Sequence, residues 1–306
     1  MDRRRLGYDR PMDEAVTIRP MRAEDAEPAA EVMIGGGWGD RRRFLAFAVG
    51  HPGCVPFVAE VDGRIAGTGV ATVNGAVGWV GMIFVDEALR GRGLGTNLTA
   101  ATMDALDAAG CVSMVLLASP LGRPIYARLG FVAEMDYRIL VAPAGGGLEG
   151  TSDPAPDRGL DPVDRGASSL RAFMPTDLPA ILELDRAATG EDRSHLLREV
   201  AGPDETIVAV RASGELVGFD ARVPWGTHPT VAPALPDGVR LLDARRRRSA
   251  PGSDVRTAIP EVNRSGLAVL ENLGWRGERG LTRMVRGAPI DWHPDAIWGQ
   301  VNYAIG

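Results

Sequence analysis

The fold is decided by the apolar stretch Val77-Gly78-Trp79-Val80-Gly81-Met82-Ile83-Phe84-Val85 and, after a short acidic turn, by Arg90-Gly91-Arg92-Gly93-Leu94-Gly95-Thr96. The apolar run predicts a buried strand, and spaced apolar residues at Leu98, Met103 and Leu106 predict a helix that starts in the glycine-rich stretch. Glycines at alternate positions tolerate φ > 0 and let backbone N–H groups converge on one point. A helix N-terminus adds free donors and partial positive charge, so the sequence predicts a phosphate-binding loop.

The spacing of this loop excludes two common phosphate-binding motifs. It is not a P-loop, because no Gly-Lys-Ser/Thr follows and the chain contains no lysine. It is not a dinucleotide fingerprint either, because Thr96 and Asn97 follow the glycines where that motif requires another glycine. Arg90 and Arg92 place formal positive charge beside the backbone donors, which is the chemistry that a pyrophosphate needs.

The order Arg-x-x-Gly-x-Gly after a strand resembles the pyrophosphate-binding motif of the GNAT family of acyl-CoA-dependent N-acetyltransferases. Further along the chain, Tyr126 precedes Leu129-Gly130-Phe131. This arrangement resembles the second motif of the family, in which a tyrosine on a helix precedes Leu-Gly-Phe at the turn into the next strand. The two motifs occur in the expected order, and each supports the other.

The pattern starts again in the second half of the chain. Residues 169–175 echo residues 17–21, and residues 263–275 repeat a helix that ends in Leu-Gly and an aromatic residue. The resemblance therefore implies an α/β (α+β) fold of two tandem GNAT-like domains, each a mixed, mostly antiparallel twisted sheet flanked by helices. The predicted boundaries are a flexible N-terminal tail (1–14), a catalytic domain (15–142), a linker rich in Pro and Gly (143–167) and a degenerate domain (168–306).

The second copy lacks the glycine-rich loop. Pro236-Asp237-Gly238-Val239 stands at that place, and one glycine cannot form the same concave group of N–H donors. We expect this half to bind CoA poorly or not at all.

In the first half, the resemblance implies acetyl-CoA, or another short acyl-CoA, as co-substrate and no metal. The strand before the loop is expected to offer backbone groups to the thioester and pantetheine, and the loop to hold the pyrophosphate. Ser119, just before the second-motif helix, either contacts CoA or caps that helix. The implied binding residues are Ile83, Phe84, Val85, Arg90, Gly91, Arg92, Gly93, Leu94, Gly95, Thr96 and Ser119.

Tyr126 aligns with the general acid of the family, whose hydroxyl protonates the leaving thiolate; the alternative is an aromatic side chain that packs a helix onto the sheet. No general base is assigned. Glu60, Asp86 and a chain of waters remain open, and an acceptor amine that arrives neutral needs no base.

The acceptor pocket is expected near Trp38, in its glycine-rich setting, with Arg41 and Arg42 beside it; the alternative is a mobile lid with a packed tryptophan. Asp185 and Arg193 of the second half are further candidates, either as pocket residues that meet an amine or as a salt bridge.

Composition excludes several other classes. The net charge of −6 argues against a nucleic-acid-binding surface, and the four histidines show no metal-ligand spacing. A charged N-terminal stretch without an apolar run predicts no signal peptide, and no apolar stretch approaches the ~20 residues of a membrane span. These features predict a cytoplasmic protein, and the use of arginine as the only basic side chain besides histidine favours a GC-rich bacterial source.

The sequence thus favours direct acetyl transfer from acetyl-CoA to a small amine or amino-acid-like acceptor in a ternary complex. The alternatives are a protein N-acetyltransferase and a non-catalytic acyl-CoA-binding sensor or scaffold. The expected assembly is a monomer with pseudo-dimeric domains or a homodimer.

Overall fold

A computed structural model describes residues 16–145 and 168–306. The predicted tail 1–14 and residues 146–167 of the predicted linker lie outside the described residues. The strands are β1 (Val16–Pro20), β2 (Cys54–Val61), β3 (Arg64–Asn74), β4 (Val77–Val85), β5 (Ser113–Ala118), β6 (Val132–Pro143), β7 (Ser169–Ala172), β8 (Thr206–Val210), β9 (Leu216–Ala221), β10 (Thr230–Val231), β11 (Asp254–Pro260), β12 (Arg276–Gly287) and β13 (Ile297–Gly299). The helices are α1 (Ala26–Gly35), α2 (Arg42–Gly50), α3 (Leu94–Ala108), α4 (Arg123–Arg128), α5 (Leu178–Thr189), α6 (Ser194–Val200), α7 (Leu235–Arg248) and α8 (Arg264–Asn272).

The described strands form two sheets, of which the longer is mixed and the shorter is antiparallel. One sheet has eight strands in the order β1-β2-β3-β4-β5-β12-β6-β11, and the other has five in the order β13-β10-β9-β8-β7. Within the described residues, the neighbours are antiparallel except β4 and β5, which pair in parallel over residues 77–79. The predicted fold class, mostly antiparallel mixed sheets flanked by helices, is confirmed.

The two halves of the chain exchange strands. β12, from the second half, lies between β5 and β6, and β6 in turn pairs with β11 of the second half. The long sheet therefore runs through both halves, whereas the sequence predicts a separate sheet for each. Local patterning specifies a strand and its buried face but not which distant edge it pairs with, so this exchange has no sequence signal.

The first strands of the two halves, β1 and β7, are each followed by the same pattern of hydrogen bonds, which reveals an internal repeat. Arg19 donates to both carboxylate oxygens of Asp25 at 2.6 and 2.9 Å, and Arg171 does the same to Asp177 at 2.7 and 2.8 Å. Each aspartate also accepts the backbone N–H three residues earlier at 2.7 Å. The arginine partner lowers the pKa of both carboxyl groups, so both pairs are ionised when they fix the start of the following helix.

The helices of the first half cover opposite faces of the long sheet. α1 and α2 bury Met33, Phe44 and Leu45 against Phe84 of β4. On the other face, α3 packs beneath the strands, with Leu98 and Leu106 buried there. β4 is thus covered on both faces, as expected for a continuous apolar run.

Candidate functional site

The glycine-rich loop is an open group of backbone donors. Gly91 and Gly93 adopt φ of +80° and +85°, and no atom lies within 4 Å of a Cβ built on either residue. α3 begins directly after Gly93, and the N–H groups of residues 93–96 have no acceptor in the described parts of the chain. Four free donors at a helix N-terminus, open to solvent, suit an anion such as a phosphate.

The two loop arginines lie beside these donors. Arg90 is half-exposed, donates through Nε to the carbonyl oxygen of Val85 at 3.3 Å and lies 3.6 Å from Glu87. This contact ties the charged side chain to the end of β4, while Arg92 is exposed on the loop itself. Charged donors therefore lie beside the backbone donors of the loop.

β4 and β5 separate immediately before this loop. They pair only over residues 77–79, so from Val80 onward β4 presents an edge without a β5 partner. Such an edge offers backbone N–H and C=O groups to an extended ligand. Of the three residues predicted there, Ile83 and Val85 pack toward α3, whereas the Phe84 side chain is buried against α1 and α2.

Met82 was missed by the sequence analysis. It has φ +51°, and β4 carries one extra residue where the register with β3 passes from Thr68–Phe84 to Val70–Gly81. The Thr68 hydroxyl donates to the Met82 carbonyl oxygen at 2.8 Å and holds this bulge. A bulge re-aims backbone groups, and here it does so on the open edge of β4. A positive φ at methionine has no signature in the sequence.

Tyr126 lies on α4, which packs beside the loop. A Cβ built on Gly95 would lie 3.8 Å from Ile125 Cδ1, and the Tyr126 ring covers Gly122 and meets Phe131 at 6.3 Å between centroids. Within the described ranges, the Tyr126 hydroxyl has no hydrogen-bond partner. Burial raises the pKa of Tyr126 to about 12, so the hydroxyl keeps its proton at neutral pH.

Ser119 is placed at the start of the same helix turn. Its Oγ accepts the N–H of Gly122 at 3.3 Å, which is the capping alternative, and the residue is exposed on the side of α4.

Two features define the other side of the open edge of β4. Trp38, 37% exposed, meets Phe84 edge-to-face with ring centroids 5.4 Å apart. Arg42 is held by three carboxylates, those of Glu27 (2.6 Å), Asp40 (2.9 Å) and Glu31. Trp38 therefore remains available beside the edge, whereas the charge of Arg42 is already neutralised.

Asp185 and Arg193 form a buried ion pair with each other and do not face an open pocket. Arg193 Nε donates to Asp185 at 3.0 Å, and the two residues are 2% and 1% exposed. This is the salt-bridge alternative. Next to them, Glu191 accepts hydrogen bonds from Asn74 (2.7 Å) and from Trp79 Nε1 (2.8 Å) of the first half. The cluster joins the two halves behind β4.

The two general-base candidates already have partners. Glu60 forms an ion pair with Arg19 at 2.8 Å, and Asp86 accepts the N–H of Ala88 at 3.1 Å. No group of three or more His, Cys, Asp or Glu side chains within residues 16–145 and 168–306 has the arrangement of a metal site. No helix in these ranges is long and apolar enough to cross a membrane.

In the second half, the corresponding gap between β10 and β11 is filled by the chain itself. β13 pairs with β10, and Thr257 of β11 donates to the carbonyl oxygen of Trp298. The Trp298 ring lies 2.0 Å from a Cβ built on Gly238, so it fits over the first turn of α7 only because that residue is glycine. Trp298 Nε1 donates to Ala232 at 2.9 Å and locks the ring in place.

A groove of about 1070 Å³ also lies on the second half, between α5, α6 and residues 291–293. Its acidic and basic side chains are mixed, and two of them, Arg186 and Asp192, pair at 2.9 Å. The helix that starts in it, α6, already has a carboxylate at its N-terminus, because Asp192 accepts the N–H of Ser194 at 3.2 Å, so we do not assign the site to this groove.

Two family descriptions match this chain. The acetyltransferase (GNAT) family matches residues 23–131, and the acetyltransferase (GNAT) domain matches residues 181–299. The chain belongs to the GNAT acetyltransferase family. Both halves carry the fold, as the repeat predicts, and the family uses acyl-CoA.

One curated relative matches part of the first half of the chain. A probable glucosamine 6-phosphate N-acetyltransferase of Oryza sativa subsp. japonica is 37% identical over 83 residues, which are 25% of this chain and 50% of that protein. The chain thus spans about half the length of this curated relative.

Solved structures resemble the whole chain. A putative acetyltransferase from Pyrococcus horikoshii matches 99% of this chain and 100% of its own at TM-score 0.75 and 19% identity. A tandem GNAT protein from the clavulanic acid biosynthesis pathway matches 90% of this chain and 100% of its own at TM-score 0.60 and 17% identity. At these identities the likeness concerns the fold alone.

Proposed function

We propose that the protein is an N-acetyltransferase that transfers the acetyl group of acetyl-CoA to a small amine, with one active site in the first half. The observation that carries this proposal is the joint position of the free N–H donors of residues 93–96 and the open edge of β4. The donors suit a pyrophosphate, and the edge suits the extended pantetheine arm that follows it. The family membership supports the same donor.

In this proposal the residues divide the chemistry between them. Acetyl-CoA supplies an activated acetyl thioester. Backbone N–H groups of the β4 bulge at Met82 and Ile83 donate to the carbonyl oxygen, where negative charge develops. As the acceptor nitrogen forms its bond to the carbonyl carbon and the C–S bond breaks, the Tyr126 hydroxyl gives its proton to the sulfur. An acceptor that arrives as an ammonium first loses one proton to water. The neutral amine then loses one N–H proton as the amide forms, and this proton returns through water to the Tyr126 oxygen, which restores the hydroxyl.

We further propose that the second half binds no acyl-CoA. β13 occupies the β10 edge that corresponds to the open edge of β4, and Trp298 covers the start of α7. The carboxylate of Asp237 also lies in the first turn of α7, near Ser168, so this helix end already has an anion of its own.

Isothermal titration of acetyl-CoA into the purified chain tests both statements. We expect one site, lost in the double variant Arg90→Ala/Gly93→Val, because valine resists φ near +85° and the loop then turns its donors away. Arg64→Ala, an exposed arginine on the β2–β3 turn, is the matched control. Two sites would refute the proposal for the second half, and no binding would refute the acetyl-CoA site.

A further inference from the structure

The bulge of β4 places two residues, Met82 and Ile83, opposite one residue of β3, Gly69. A Cβ built on Gly69 would lie 3.0 Å from Ile83 Cδ1, so β3 leaves room for the Ile83 side chain because this position is glycine. β5 does not reach this part of β4, since it pairs only with residues 77–79. The peptide unit between Met82 and Ile83 therefore lies between β3 on one side and the open edge of β4 on the other.

The Thr68 hydroxyl sets the direction of this peptide unit. Thr68 lies on β3, is fully buried, and donates to the Met82 carbonyl oxygen at 2.8 Å. The C=O and the N–H of a trans peptide unit point in opposite directions. Because the Met82 carbonyl points to Thr68 on β3, the N–H of Ile83 points away from β3 and toward the open edge of β4.

The bulge depends on this hydrogen bond because its backbone conformation is unfavourable. Met82 has φ +51°, in the left-handed region that residues with a Cβ seldom adopt. The cost of such a conformation is similar in size to the net gain from one hydrogen bond. The other neighbour of the Thr68 hydroxyl is Met33 Sδ at 3.8 Å, and a thioether sulfur is a weak acceptor. Removal of the hydroxyl therefore takes away the group that holds the peptide unit in place.

Residues 301–306 of the second half support the residue that precedes the bulge. A Cβ built on Gly81 would clash with the backbone of Ala304, so Ala304 lies directly on Gly81. Asn74 of β3 donates to the Ile305 carbonyl oxygen at 3.2 Å and ties the same segment to the first half. Ala304 and Ile305 are buried in the core formed by α1 and α2. The segment therefore fixes β4 immediately before the bulge.

We propose that Thr68 and Ala304 are positioning residues that hold the Ile83 N–H toward the thioester carbonyl oxygen of bound acetyl-CoA. Thr68 fixes the direction of the peptide unit, and Ala304 fixes β4 at Gly81. The second half thereby contributes to the active site of the first. This inference rests on the proposed acetyl transfer and adds the residues that orient its carbonyl donor.

The test uses acetyl-CoA labelled with ¹³C at the acetyl carbonyl, bound to the full chain and measured by isotope-edited infrared difference spectroscopy. Hydrogen bonds to a carbonyl oxygen lower its stretching frequency, so this frequency reports the donors without an acceptor amine. In the unaltered chain we expect the bound carbonyl to absorb at a lower frequency than in free acetyl-CoA. Thr68→Val should lose about half of this shift, because one of the two proposed N–H donors turns away. Acetyl-CoA affinity, measured by titration, should be retained.

Two variants of β3 separate the hydroxyl from general packing. Thr68→Ser keeps the donor and should keep the full shift of the unaltered chain. Thr72→Val is the matched control, because Thr72 lies on the same strand and is as buried as Thr68, but its hydroxyl faces Cys54 Sγ at 3.8 Å. This variant should also keep the full shift.

The contact with the second half is tested on β4. Gly81→Ala places a Cβ against the backbone of Ala304, so β4 and the segment must separate and part of the shift should be lost. Ala304→Gly removes a methyl group from this contact without a clash and should lose a smaller part. Gly78→Ala is the control on the same strand, because its new Cβ meets only the Leu106 side chain and should leave the shift unchanged. Melting temperatures record the general damage in each variant.

An unchanged shift in Thr68→Val, an equal loss in Thr72→Val, or a loss in Thr68→Ser as large as in Thr68→Val would overturn the role of Thr68. An unchanged shift in both Gly81→Ala and Ala304→Gly would overturn the role of the second half. The proposed function is judged on the unaltered chain. Absence of acetyl-CoA binding there, or a bound carbonyl without a shift to lower frequency, would overturn the proposed chemistry and the positioning roles with it.

Discussion

Replacement of Glu191 by glutamine should change how the stability of the protein depends on pH. Glu191 is 4% exposed, accepts hydrogen bonds from Asn74 and Trp79 across the two halves, and burial raises its pKa from 4.5 to about 7. The folded state therefore holds the Glu191 proton more tightly than the unfolded state. The stability that this provides is present below pH 4.5 and is lost as the pH rises through 7.

The size of the effect follows from the two pKa values. The rise from 4.5 to about 7 corresponds to about 3 kcal/mol in total, of which about 2.5 kcal/mol falls between about pH 5 and about pH 8. Glutamine keeps the shape and does not titrate. The free energy of unfolding of Glu191→Gln minus that of the unaltered chain should therefore rise by about 2.5 kcal/mol over this range. Any constant cost of the substitution cancels from the rise.

The two free energies of unfolding are compared as a difference because a second titratable group, His195, also makes stability depend on pH. His195 binds the Asn74 side chain at 3.0 Å, and burial lowers its pKa from 6.5 to about 4. Its folded state resists protonation, so its contribution to stability is present above pH 6.5 and is lost as the pH falls toward 4. The two groups oppose each other over the same range, and the unaltered chain should show a shallow pH dependence.

Urea denaturation followed by circular dichroism, at steps from about pH 5 to about pH 8, measures the difference. Glu183→Gln, an exposed glutamate on α5, is the control and should give a flat difference curve. Repeating the pair in a His195→Gln background removes the opposing group. A flat or falling curve for Glu191→Gln would mean that Arg193 keeps the carboxylate ionised in the fold, and the reasoning from burial would be wrong.

Three further substitutions test the candidate site and the packing and ion pair that support the fold around it. Tyr126→Phe should lower kcat for thiol release by about 100-fold without weakening acetyl-CoA binding by titration; unchanged kcat would assign Tyr126 to packing. Gly238→Ala should destabilise the chain by about 2 kcal/mol in urea denaturation, because the new Cβ meets the Trp298 ring; an unchanged midpoint would refute the fit described for that ring. Arg193→Met should cost about 4 kcal/mol by leaving the Asp185 carboxylate buried without its partner, and a loss below about 1 kcal/mol would show that the pair is hydrated.

Local features of the fold were predictable because they depend on neighbouring residues. The bounds of β4 agree with the apolar run, and the Asp62-Gly63 turn has the positive φ at both positions that its sequence favours. The glycine-rich loop, its position before α3 and the Tyr126 helix were predictable for the same reason. Each of these is set by a few consecutive side chains.

Features that join distant segments were not predictable. The run Arg245 to Arg248 ends α7, yet Arg245 is 2% exposed and lies 3.2 Å from Asp220 on β9, a contact that the run of arginines does not itself predict. The bulge at Met82 depends on the Thr68 hydroxyl of the neighbouring strand, and the hydrogen bonds from Asn74 and Trp79 to Glu191 join the two halves of the chain. These contacts form only once the sheets are assembled, so no short window of sequence encodes them.

Because of the strand exchange, the first half of the chain does not contain all the strands of its own sheet. Residues 15–142 contain the loop and Tyr126, but β12 is the strand that separates β5 from β6. Without it, two long edges of that sheet are unpaired and the buried side chain of Met284 is missing from the core beneath α3. The segment that fills the second cleft also continues to β4 of the first half. The C-terminal segment therefore closes the cleft of the second half and forms part of the first half's core against β4. We expect the two halves to fold and act as one unit.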